Sequence, residues 1–145
     1  ALDRATAVAF QSDDFVEITV RATALTAHED VSIVIAIVDA SQYPVFDTCT
    51  RRLGAQPLSL TPGDIVRSTF RIQLRLAQGT YYVHAYLHRY VTDRPYDVWL
   101  SAATFFVGGT PAVRGIANLI PSLVTCEKET GAAHAAVAQS AISAV

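Results

Sequence analysis

The chain of 145 residues has no methionine and only two cysteines. With alanine at position 1, the missing methionine reads as a domain cut from a longer protein, and N-terminal processing leaves the same mark. Cys49 and Cys126 are too few for a disulfide framework and read as free thiols of a reducing compartment. Charge is sparse as well: charged residues make up 17% and the formal net charge is −2, which offers nucleic acid no electrostatic attraction. No apolar run reaches the roughly 18 residues that a membrane-crossing helix needs. The beginning of the chain lacks the layout of a signal peptide.

Chemistry-bearing motifs are equally scarce. There is no HExxH, no close cysteine pair, no GxSxG and no GxxxxGK[ST]. The acids Asp13-Asp14 and Glu29-Asp30 sit in turns and make no glycosidase pair. His84 and His88 stand four apart on one strand, about 13 Å, too far to chelate one metal. His28 lies in a turn and His134 in the tail, and Cys49 has no activating neighbour and reads as a small buried residue. The expectation is a domain that is not an enzyme, with no cofactor, no metal and no nucleic-acid partner.

What is present is strand patterning. Hydrophobic residues make up 51%, enough for one domain with a real core. In Gly79 to Tyr90, Tyr81, Val83, Ala85 and Leu87 alternate with Tyr82, His84, Tyr86, His88 and Tyr90. Successive side chains of a strand point to opposite faces, so five rings share one face. The preceding Phe70 to Leu76 alternates as cleanly, with Arg71, Gln73 and Arg75 outward. A hairpin turned at Ala77–Thr80, with Gly79 free to take positive φ, pairs Arg75 with Tyr82, Gln73 with His84, Arg71 with Tyr86 and Thr69 with His88. Its outer face is then a platform of planar rings and hydrogen-bonding groups, which suits the apolar C–H faces and hydroxyl rim of a sugar. Arg71, Gln73, Arg75, Tyr82, His84, Tyr86 and His88 are the expected ligand-binding residues. A second reading has the rings covered by another sheet, a loop or a subunit, with the site on the loops Arg51–Gln56 or Thr92–Tyr96.

The rest of the chain supports an all-β domain. Thr6–Phe10 and Phe15–Ala24 read as strands, and Val31–Val38 as a central strand apolar on both faces. Val45–Thr50 and Leu58–Leu60 follow, then the turn Thr61-Pro62-Gly63-Asp64, the paired strands within Ile65–Tyr90, a polar loop at Thr92–Tyr96 and a strand at Asp97–Val107. Val113–Val124 suits one more strand, with Pro121 near an edge or end. Residues 1–126 are thus expected to form an antiparallel β-sandwich with Ile33, Ile35, Ile37, Phe70, Ile72, Leu74, Val83, Ala85, Leu87, Phe105 and Val107 in the core. Residues 127–145 form an alanine-rich tail in which Thr130 suits the cap of a short helix over 131–144.

Several segments together resemble one family. They are SIVIAIVDASQYPVFDTCT, LTPGDIVRSTFRIQLRLAQGTYYVHAYL and SAATFFV, in this order and spacing, over roughly Ala5 to Leu123. The family is the C-terminal carbohydrate-binding domain of Wzt-type ABC-transporter ATPases, which export O-antigen and related polysaccharides. The family often has a glycine in the turn after Asp39, whereas Ala40–Pro44 contains none.

The resemblance implies an immunoglobulin-like, jelly-roll-like sandwich that binds a lipid-linked glycan in the cytoplasm and couples it to export. It also implies a homodimer, in some members through exchange of the last strand. In the full-length setting it implies a transporter ATPase and a membrane permease as partners, at the inner face of the bacterial inner membrane. The recognisable motifs are framework positions, so the expected site rests on strand alternation alone. The alternative function is a protein-interaction or dimerisation sandwich with no glycan on the ring-bearing face.

Overall fold

A computed structural model describes residues 8–110 and 112–126. Eight strands run in chain order: β1 (Val8–Gln11), β2 (Phe15–Thr23), β3 (His28–Asp39), β4 (Pro44–Cys49), β5 (Leu58–Leu60), β6 (Ile65–Gln73), β7 (Gly79–Arg89) and β8 (Arg94–Gly108). One 3-10 turn, Tyr90–Thr92, joins β7 to β8. The expected helix of the tail lies outside the described residues.

The strands form a lopsided sandwich. One sheet has the order β1-β8-β7-β3-β4, with β5 alongside the first part of β3, and the other contains only β2 and β6. Pairing is antiparallel except between β1 and β8. β3 is central because its residues from Val31 to Val38 are all apolar or small and all buried, so both edges need neighbouring strands to cover them. Its inward Ile33, Ile35 and Ile37 lie beside Leu87, Ala85 and Val83 of β7. Opposite them Val20, Ala22, Val66 and Phe70 supply the lid of the core. Of the core positions expected from alternation, all are buried but Ile72, which is partly buried against the same core.

One expectation is overturned. β6 and β7 are not a hairpin: β6 pairs with β2, and β7 pairs with β3 and β8. The link between them crosses from one sheet to the other. Along it Leu74 exchanges backbone hydrogen bonds with Asp13 and Asp14, and the Ala77 N–H donates to the Ile116 carbonyl. The buried Tyr81 hydroxyl donates to the Ala77 carbonyl at 2.8 Å and locks the crossing. Gly79 opens β7 and is not among the glycines with positive φ. The reason the alternation misleads is geometric. The apolar faces of two adjacent strands are satisfied equally by lying side by side or by facing each other across a core.

Two smaller differences follow the same chain. Residues 113–124 make no strand; a single bridge joins Ala117 to Leu76, and the Asn118 N–H donates to the Arg75 carbonyl. β8 begins at Arg94, inside the segment expected as a loop, and bulges between Trp99 and Ala103 opposite β7.

Candidate functional site

The outward residues of β3 are short: Ser32, Val34, Ala36 and Val38. Register sets them beside taller side chains. Val34 lies between Tyr86 and Cys49, Ala36 between His84 and Asp47, and Val38 between Tyr82 and Pro44. Short residues in the middle strand and tall ones on its neighbours make a trough. The result is an open groove of about 610 Å³ floored by Val34, Ala36 and Val38. Tyr86, His88 and Tyr90 line it together with Phe46, Asp47, Arg52, Asp93 and Pro95.

The groove carries polar side chains in pairs. Arg52 Nη1 donates to Asp47 Oδ1 at 2.6 Å, and this carboxylate raises the guanidinium pKa above its ordinary value. His88 Nε2 lies 3.1 Å from Asp93 Oδ1. Asp93 is fully open to water, at a left-handed φ of 50° that ends the 3-10 turn. The Arg51 guanidinium stands 5.9 Å above the ring of Tyr90. Exposed pairs of this kind add little to stability, yet their spare lone pairs and N–H groups remain available to a hydroxyl-rich ligand.

The seven expected residues divide between the two sides of the molecule. Tyr86 and His88 line the groove, and Tyr82 and His84 are on the same outward register of β7. His84, however, is only 7% exposed. Its Nδ1 accepts the Ser101 N–H at 2.7 Å, and Ser101 sits in the β8 bulge with a left-handed φ of 51°. Burial pushes the His84 pKa down. This ring therefore pins the bulge. Arg71 and Gln73 belong to the other sheet and point away from the groove; Arg75 follows just beyond it. Arg71 stacks 5.4 Å from the Phe15 ring, Gln73 donates to Asp13 Oδ1 at 2.8 Å, and Arg75 pairs with Asp13 at 3.1 Å. The proposed pairing of these three with the β7 rings fails because the hairpin does not exist.

Asp47, Arg52, Phe46 and Asp93 are the groove residues that alternation alone missed. The clue to Asp47 was the short Asp39–Pro44 turn, which folds β4 against the central strand. The two loops held as the alternative site each contribute, Arg52 from one and Asp93 and Pro95 from the other. Face and loops thus line one groove.

A second, smaller gap of about 270 Å³ opens between the two sheets beside β4. Ile37, Val45, Ile72, Leu74 and Ile116 line it, and Phe46 borders both it and the groove.

Comparison with known proteins gives one family. Residues 2–119 match the family model described as the Wzt C-terminal domain. A crystal structure of the C-terminal domain of wzt superposes with a TM-score of 0.67 at 16% identity, covering 82% of this chain and 73% of that one. At that identity the likeness bears on the fold. A DNA glycosylase, AlkC of Pseudomonas fluorescens, aligns at a TM-score of 0.41 and 15% identity, covering 72% of this chain and 28% of that one, and carries no argument. No curated protein matches the chain.

Proposed function

The chain belongs to the Wzt C-terminal domain family, and on that premise we propose that it is a non-catalytic carbohydrate-binding module. It holds an O-antigen-type polysaccharide in the groove over β3 and couples that glycan to ABC-transporter export. The observation that supports this most directly is the make-up of the groove: rings of Tyr86 and Tyr90 over an apolar floor, flanked by Asp47, Arg52, His88 and Asp93. A tyrosine ring stacks on the C–H face of a sugar and keeps a hydroxyl for its rim. The carboxylates accept from sugar hydroxyls, and Arg52 donates to them.

An open groove leaves part of a ligand in water, so affinity in the micromolar to millimolar range is expected, about −8 to −4 kcal/mol. Weak capture suits a carrier that must release its cargo. Avidity from a homodimer compensates for it. The gap beside β4 and the exposed Leu119, Leu123 and Val124 of the following segment support such a dimer. In this reading the domain works in the cytoplasm at the inner membrane, beside the ATPase domain and permease of its transporter.

The test is an NMR titration with the source organism's own polysaccharide. The amides of Val34, Ala36 and Val38 should shift, and Tyr86→Ala should weaken binding about 5-fold, the loss of about 1 kcal/mol of ring contact. Arg71→Ala, on the opposite side, should leave affinity unchanged. Loss of binding in Arg71→Ala with none in Tyr86→Ala would move the glycan to the other sheet.

A further inference from the structure

The outer face of the two-stranded sheet has an arrangement that the groove does not explain. β2 and β6 pair over nine positions with no register shift, a regular ribbon about 30 Å long. Its outward residues alternate away from the core, so Arg21 lies directly opposite Arg67, and Arg71 lies opposite Glu17. Like charges facing each other across a ladder are unfavourable. Among the described residues none of these three arginines forms an ion pair, and Arg71 turns to the Phe15 ring, at 5.4 Å. The same face bears an exposed apolar side chain at each end. Phe15 is 63% exposed at one end of β2, and Ile65 is 56% exposed at the other end of the ribbon, on β6.

We infer that this ribbon is a docking face for an anionic lipid bilayer. The phosphates of such a surface form a plane of negative charge, and guanidinium forks bind phosphate in two-point contacts. Phosphate between Arg21 and Arg67 removes the repulsion that the free ladder carries. Two arginines near the Ile65 end and a third towards the Phe15 end, with an aromatic and an aliphatic side chain at the ribbon's two ends, suit a headgroup layer with hydrocarbon beneath it. An acidic protein surface answers to the charge but leaves Phe15 and Ile65 without a reason to be exposed together. The ribbon faces away from the groove, so lipid contact leaves the groove open.

The test is sedimentation of the chain with vesicles of phosphatidylcholine, with and without phosphatidylglycerol, at low and high salt. Binding is expected only with phosphatidylglycerol, and high salt should abolish most of it. Each arginine near an anionic surface contributes about 1 kcal/mol, or about 5-fold in partitioning. Arg21→Gln with Arg67→Gln should therefore reduce vesicle binding roughly 25-fold, while glycan titration of the groove stays as in the parent and thermal stability does not fall, the like-charge pair being gone. Phe15→Ser should weaken vesicle binding at both salt concentrations. Equal binding to both vesicle types, or no loss in the double variant, would overturn the inference. So would binding to soluble polyglutamate with none to vesicles, which would make the partner an acidic polypeptide.

Discussion

His84 ties the β8 bulge to β7 through one hydrogen bond, and this makes the domain acid-sensitive in a defined window. The neutral ring accepts the Ser101 N–H on Nδ1. A protonated imidazole carries hydrogen on both nitrogens and cannot accept. Burial lowers the folded-state pKa below the ordinary value of 6.5, so the unfolded chain takes up the proton first. Stability from this site is fully present above about pH 6.5. It falls as pH drops through the unfolded pKa towards the lowered folded one, at most about 1.4 kcal/mol per pH unit.

The variant His84→Gln keeps an acceptor oxygen at this position but does not titrate. Urea denaturation of parent and variant at pH 7.5, 6.0 and 5.0 separates the contributions, since every ionisable group but this ring is common to both. The parent should lose more stability than the variant between pH 7.5 and 5.0. His84→Ala, which leaves the Ser101 N–H without its partner, should cost about 1–3 kcal/mol at pH 7.5. Parallel acid curves for parent and His84→Gln would refute the assignment of this ring as the bulge's neutral acceptor.

Leu74 is fully buried where the chain crosses between the sheets, so Leu74→Ala should cost about 2–5 kcal/mol; a melting temperature equal to the parent's would refute that placement. Sedimentation should show a dimer that truncation after Asn118 weakens, because the exposed Leu119, Leu123 and Val124 then no longer contribute; a monomer at high concentration, indifferent to the truncation, would count against the dimer.

Period-two alternation identified the inward side of β2, β6 and β7, because the two faces of a half-buried strand meet different solvents. The run from Val31 to Val38, apolar throughout but for Ser32, marked β3 as central for the same reason. Tyr86 and His88 were legible as outward-facing residues of β7, and the structure sets them in the groove. His84 has the same alternation and the same side, but the β8 bulge covers it, and nothing within Gly79–Tyr90 signals that bulge.

By itself the sequence determined which residues of each strand face the core, which strand lies at the centre and which family the chain resembles. The first two are consequences of local period and composition, which each segment carries alone; the resemblance rests on several segments in their order and spacing. Only the tertiary structure decided who lies beside whom. Crossing between sheets at Leu74–Gln78 sent Arg71 and Gln73 to one side of the sandwich and the β7 rings to the other. Buried apolar faces are satisfied by either arrangement, so the choice rests on contacts distant in the chain: Leu74 with Asp13 and Asp14, and Ala77 with Ile116.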